Sequence, residues 1–300
     1  MVKVIVIAFA TCLALILHCE AAEPDRPRYK ISRTEIHTVS SEDLERDYRL
    51  FVKLPPRYHD PTNKNRRYPV IYFNDASYCF EVASGITVAP MNLGGFEHAI
   101  LVGISYAVGE SGADSRARDL TPVPLPQAKR EHGGARAYLT FIRDGIIPFI
   151  DKEFRADPDR RVLVGQSHGG LFGVFALLEE PGLFSDYILT SPSLWFGQKA
   201  IFDMEAEAAA EQRPLSGKVY FATGETEQPN FHGGRIDMVA DQASFADILA
   251  SRNHSGLSLK YDTIEDGTHQ TTFPIGFTRG MLWILPGDDP YNGGQRWYGD

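Results

Sequence analysis

Apolar and polar positions alternate near the start of this 300-residue chain and then give way to continuous apolar runs. "RTEIHTVSS" and "DYRLFVKLPPRY" are β-rich runs parted by the polar stretch "EDLER", which predicts two antiparallel strands at a sheet edge. "YPVIYFND", "HAILVGISYA" and "RVLVGQS" are short and uniformly apolar, and each ends at small or polar residues, the pattern of strands covered on both faces. Between them runs "ARAYLTFIRDGIIPFIDKEF", where Tyr138, Phe141, Ile142 and the pair Gly145 and Ile146 fall on one side of a helix. "DYILTSPSLWF", "GKVYFATGE" and "LSLKYDTIEDGTH" predict three more strands, with "DMVADQASFADILAS" a helix before the last. The alternation predicts an α/β fold: a mostly parallel central sheet with antiparallel N-terminal edge strands and helices on both faces. No internal repeat is present. Residues 109–134, rich in Gly, Pro and charge, break the rhythm as a long loop after a central strand, where ligands of open α/β sheets gather. Trp283 and Trp297 lie in a C-terminal segment to which the pattern assigns no element.

The first residues do not fit this domain. Lys3, an apolar run over residues 4–17 and small residues at Ala21 and Ala22 predict a cleaved export signal over residues 1–21, with a single domain over 22–300 and a periplasmic or extracellular destination. The run is shorter than the roughly 20 apolar residues that a membrane-crossing helix needs, so no stable span is expected after cleavage. Cleavage would remove Cys12 and Cys19 and leave Cys79, set in the apolar "SYCFEV", as a buried inert thiol with no disulfide to form. The formal net charge of -9 arises from scattered Asp and Glu without a basic stripe, which argues against nucleic acid as partner.

Charge and composition name no chemistry, but one stretch does. In "RVLVGQSHGGLFGVFALL", Ser167 stands between Gly165 and Gly169 at a strand-to-helix turn, because an apolar strand precedes it and Leu171, Val174, Phe175 and Leu178 follow at helical spacing. A nucleophile elbow needs this context, and glycines there let strand and helix backbones approach without side-chain collision. The backbone N–H of His168, at the helix start, would point toward an oxyanion formed on attack by Ser167. A serine hydroxyl needs a base within hydrogen-bond reach. His269 in "EDGTHQTTFP", after the last strand, occupies the place of that base in the order serine, acid, histidine; His168, next to the nucleophile, is expected to line the pocket instead. For the acid, "GETEQ" offers Glu227 and Glu225, of which Glu227 is preferred because Glu225 adjoins Gly224; Asp266 is a further candidate. The second oxyanion donor is expected from the backbone of Ala76 or Ser77, after "VIYFND". Arg116 and Arg118 in "RARDLTP" either receive an anionic or catecholate substrate or pin their own loop through a neighbouring acid. Trp195 in "SPSLWF" is either an aromatic wall for substrate or a core residue. The nine histidines show no compact metal-ligand spacing, and the mechanism requires no metal or other cofactor.

With these residues assembled, the chain resembles the esterase D-like branch of the α/β-hydrolases, and within it the enterobactin and salmochelin (trilactone siderophore) esterases. "YPVIYFNDAS", "ILVGISY", "RARDLTP", "LVGQSHGG", "SPSLWF", "GETE" and "DGTH" carry the resemblance, which spans roughly residues 47–274. It implies an α/β-hydrolase fold and a serine hydrolase acting on small-molecule esters or lactones. The substrates of the branch include siderophore lactones, acyl-glutathione thioesters, plant phenolic esters and acyl sugars. Where the branch often has Asp-Gly after its third strand, this chain has Asp75 and Ala76. Some trilactone esterases of the branch are described as relying on a Ser-His pair without an acid. The same machinery would serve an acyltransferase, and a non-catalytic binding protein on a hydrolase scaffold is the remaining alternative.

Overall fold

The computed structural model of the chain describes residues 29–229 and 234–288. The expected export signal with Cys12 and Cys19, and also Trp297, lie outside the described residues. Every element described below belongs to the unit that begins at Ser32.

The strands are β1 (Thr34–Ser41), β2 (Arg46–Lys53), β3 (Tyr68–Phe73), β4 (Ile100–Ala107), β5 (Ala156–Gln166), β6 (Asp186–Thr190), β7 (Ser216–Gly224) and β8 (Gly256–Ile264). They make one eight-stranded sheet in the order β1-β2-β4-β3-β5-β6-β7-β8. β1 pairs with β2, and β2 with β4, antiparallel; all other pairings are parallel. Antiparallel N-terminal edge strands on a mostly parallel sheet are the arrangement the apolar pattern predicts.

The strand period of two places helices on both faces. Val70, Tyr72 and Leu163 join one apolar cluster, while Ile71, Phe73, Val162 and Val164 point the other way into a second. α4 (Ala135–Phe141), α5 (Ile147–Glu153), α6 (His168–Glu179), α7 (Phe196–Ala210) and α8 (Met238–Ser251) supply the first cluster. α1 (Ala76–Ile86), α2 (Val88–Leu93) and α9 (Thr272–Ile284) cover the other face. Cys79 sits on α1 in the second cluster, fully buried, and burial raises its thiol well above the ordinary range, so the thiolate is suppressed.

Three elements depart from the sequence pattern. The long helix expected from Ala135 onward is interrupted by a π-helical turn over Ile142–Ile146. Pro148 follows at the start of α5 and has no N–H to donate to the preceding turn. The stretch 109–134 is not loop throughout: it contains α3 (Gly112–Asp119), capped by the Ser111 hydroxyl accepting from the Asp114 N–H at 3.1 Å. "GADSRARD" shows no apolar stripe to betray a helix, so a side-chain cap and tertiary ion pairs, not amphipathicity, hold it. Trp283 belongs to α9, which packs on β6 and β7 through Phe273, Phe277, Met281 and Ile284.

The chain moves from β3 outward to β4 and then returns to lay β5 on the other side of β3. That reversal opens a crevice at the carboxyl ends of β3 and β5, the place where ligands of open α/β sheets bind. Phe73 is paired with Val164 at that end, and the Asn74 N–H donates to the Val164 carbonyl at 3.3 Å.

Candidate active site

Ser167 caps α6 directly after β5 with φ 59° and ψ -116°, a backbone conformation that L-residues rarely adopt. Neighbouring backbone over-determines it. The Ser167 N–H donates to the Thr190 carbonyl at 3.0 Å, and the Ser167 carbonyl accepts from the Leu171 N–H at 2.9 Å and the Ser193 N–H at 3.1 Å. Gly165 is required by space, since a Cβ there would stand 2.1 Å from the Gly169 carbonyl oxygen. Gly169 is different from the sequence expectation: a Cβ there would meet its nearest atom, Asp75 Oδ2, at an ordinary 3.4 Å. The collision is one-sided because the helix backbone crosses over residue 165, while residue 169 faces the loop after β3.

Five strand ends converge around this turn. His269 follows β8, and its carbonyl accepts from the Gln166 side-chain amide at 2.7 Å, which brings the histidine loop against the residue preceding Ser167. His269 Nδ1 lies 2.7 Å from Glu227 Oε2. Glu227, after β7, is fully buried, and its other oxygen accepts from the Ser191 hydroxyl at 2.7 Å, the Gly224 N–H at 2.8 Å and the Thr272 hydroxyl at 3.1 Å. Burial pushes the carboxyl up, but the hydrogen bonds from His269, Ser191 and Gly224 outweigh it and hold the group below the usual carboxylate range. Glu225 is exposed and accepts from the Asp266 N–H at 3.0 Å, and Asp266 is itself exposed. Neither stands in the hydrogen bond that Glu227 makes with the imidazole.

Two serines absent from the sequence expectation complete the arrangement, both in the loop after β6. Ser193 Oγ is 3.2 Å from Ser167 Oγ and only 1 % exposed, and Ser191 binds Glu227. One short loop therefore touches both nucleophile and acid. Their spacing in "SPSLWF" carries the signal, but a polar pair beside a proline reads as an ordinary turn without the sheet order.

The amides expected as oxyanion donors lie at two helix starts. His168 opens α6, and Ala76 and Ser77 open α1, so their N–H groups belong to first turns that lack intrahelical acceptors. α1 is also tied to the histidine loop, because the Tyr78 hydroxyl donates to the Gln270 carbonyl at 3.0 Å.

The structure separates the two arginines. Arg118 Nη1 binds Glu110 at 2.6 Å, while its Nε and Nη2 bind Asp119 at 2.9 and 3.2 Å. Its expected role in substrate binding is corrected accordingly: all three guanidinium nitrogens are held by carboxylates of its own loop, with Tyr48 donating to Asp119 beneath it at 3.0 Å. Arg116 forks onto Asp75, with Nε and Nη2 each 2.9 Å from one carboxylate oxygen. Trp195 is half-buried, packed on the larger core cluster with its ring 6.2 Å from that of His168, so it is at once core and neighbour of the site.

A cavity of about 460 Å³ reaches His168; the rest of its lining, including Arg116, Lys129, Arg130 and His132, comes from residues 109–134. The His168 imidazole is pushed down to about 3, first by burial and then by the positive charge of Arg116. A base that weak stays neutral while catalysis runs, in keeping with a lining role. The shift also has a sign for stability. Above about pH 6.5 the ring is neutral folded or unfolded; below it only the unfolded chain takes up the proton, so stability falls with acidification down to about pH 3. His168→Gln is expected to lose less stability than wild type between pH 7 and pH 5, by on the order of 2 kcal/mol. Urea unfolding at the two pH values measures this, and equal losses would show that the ring titrates normally.

The Esterase family model matches residues 41–279, which takes in seven of the eight strands and all of the residues just described. The chain belongs to the Esterase family. It is a carboxylic ester hydrolase. Ferri-bacillibactin esterase BesA of Bacillus subtilis is 28% identical over 280 residues, covering 88% of this chain and 93% of that protein. The siderophore triacetylfusarinine C esterase of Aspergillus fumigatus is 33% identical over 181 residues, 58% of this chain and 60% of that one. Among solved structures, the BES protein from Bacillus cereus superposes with a TM-score of 0.76 at 25% identity, over 87% of this chain and 98% of that chain. Siderophore hydrolase EstB from Aspergillus nidulans shares the fold, with a TM-score of 0.74 at 22% identity over 89% and 99% of the two chains.

Proposed function

We propose that this esterase hydrolyses its substrate through an acyl-enzyme on Ser167, and that the substrate is a siderophore ester or lactone. The supporting observation is the continuity of contacts from Glu227 Oε2 to His269 Nδ1 at 2.7 Å and from the His269 carbonyl to Gln166, with Ser191 and Ser193 joining acid and nucleophile from one loop. His269 takes the Ser167 proton as Oγ attacks the ester carbonyl. The amides of His168 and Ala76 or Ser77 hold the oxyanion, and His269 then protonates the leaving alkoxide. Water, deprotonated by the same imidazole, attacks the acyl-enzyme and releases the acid. Glu227 holds the Nδ1–H tautomer and offsets the imidazolium charge formed at each attack.

Two observations support the substrate class. Two relatives reported above, the ferri-bacillibactin esterase and the triacetylfusarinine C esterase, are named for siderophores. The cavity is lined by Lys129, Arg130 and His132, which suit an anionic or catecholate acyl part, and Lys129 makes no ion pair among the described residues.

Purified protein is expected to open catecholate trilactones, iron-free or iron-loaded, to linear products separable by chromatography, and to act at least tenfold more slowly on acylated sugars and simple aryl esters. Preference for aryl esters or acyl sugars would remove the siderophore assignment while leaving the esterase one.

A further inference from the structure

We infer that Arg116 and Asp75 form a positioning pair that fixes the oxyanion amide of Ala76, and that Arg116 is not the cation that receives substrate. The inference rests on the serine-esterase reading above.

The direction of the Ala76 N–H is set by the ψ of the residue before it. Asp75 holds φ 55° and ψ 47°, the left-handed region that disfavours a residue with a Cβ, so something must keep it there. Three contacts do. The Asp75 carbonyl accepts from the Tyr78 and Cys79 N–H groups, each at 2.9 Å, and its carboxylate is forked by Arg116. The carboxylate is nearly sealed, with a side-chain exposure of 3 %, and the Arg116 guanidinium is the partner that faces both of its oxygens. Gly169 of α6 lies against the same carboxylate: a Cβ built on it would stand 3.4 Å from Oδ2. The pair thus joins three segments that must keep their spacing for the amides of Ala76 and His168 to meet one oxygen: α3, the loop after β3 and the first turn of α6. Both guanidinium nitrogens that face Asp75 are occupied, and Arg130 is likewise paired with Asp114 at 2.9 Å, which leaves Lys129 of the cavity for an anionic ligand.

The test uses a neutral short-chain p-nitrophenyl ester, for which a substrate-binding cation is irrelevant. Arg116→Gln and Asp75→Asn are each expected to lower kcat by about 10²-fold, the loss typical of one oxyanion donor, with KM within about threefold. The double variant should lose no more than either single one, because the two groups act as a unit. Arg116→Lys keeps the charge but not the fork, and should resemble Arg116→Gln; it also serves if the glutamine variant does not fold. Free guanidinium ion should restore part of the kcat of Arg116→Gly, a recovery that a misfolded variant cannot show. Unchanged kcat on the neutral ester, with a rise in KM confined to anionic esters, would make Arg116 the substrate cation and overturn the inference. Full activity of Arg116→Lys would overturn the fork. A fluorophosphonate probe separates the two levels: wild type left unlabelled defeats the serine reading itself, whereas labelled wild type with fully active Arg116→Gln defeats only the pairing.

Discussion

Ser167→Ala is expected to lower kcat by at least about 10³-fold on any ester the wild type cleaves, while the fold persists. Alanine removes the contact with Ser193 Oγ at 3.2 Å, at a modest cost in stability, but the turn is held by backbone bonds from Ser167, Leu171 and Ser193. Residual rate would come from the oxyanion amides and binding alone. A companion change isolates the strain. Because the residue sits at φ 59°, Ser167→Gly should be equally inactive yet more stable than Ser167→Ala, by about 1–3 kcal/mol, the usual cost of such a conformation. Steady-state kinetics and urea midpoints on the two variants read both effects. Near-normal turnover in either would remove Ser167 from the reaction.

Glu227→Gln carries the second large effect and decides between a triad and a Ser-His pair. Glutamine can keep the acceptor that serves Ser191, Gly224 and Thr272, but it then turns an NH₂ group toward His269 Nδ1. Two donors cannot share that contact, so the imidazole is driven toward the tautomer whose Nε2 carries the proton and cannot accept one from serine. A loss of about 10⁴-fold in kcat follows if the acid works as proposed. A loss under tenfold would show that the pair suffices. The same carboxylate contributes to acid sensitivity with a definite sign. Its folded pKa lies below the ordinary 4.5, so its stabilisation is complete above that value and is lost as pH falls through the folded one. Below pH 4.5, Glu227→Gln should therefore lose stability less steeply than wild type.

How far the sequence reaches depends on whether the information is local. The buried strands were legible because a strand covered on both faces is apolar at every position, as β3 and the carboxyl end of β5 are. The elbow was legible because Gly165 answers a steric demand within five residues of itself. α3 was not, since its polar face is paid for by contacts with Asp75, Glu110 and Asp119 that no periodicity records. Gly169 looked like a second steric requirement because its surroundings come from the loop after β3, far away in sequence.

By itself the chain determined which residues have the chemistry: a serine on a strand-to-helix turn, a histidine after the last strand and acids between them, because these depend on residue type and short-range backbone geometry. Only the tertiary structure decided which of those groups share partners. It buried Glu227 against His269 and left Glu225 in solvent, brought Ser191 and Ser193 to the site, and gave Arg116 to Asp75 and Arg118 to its own loop. The reason is physical: hydrogen bonds and ion pairs act over a few ångströms, and only the strand order of the sheet brings residues a hundred positions apart within that range.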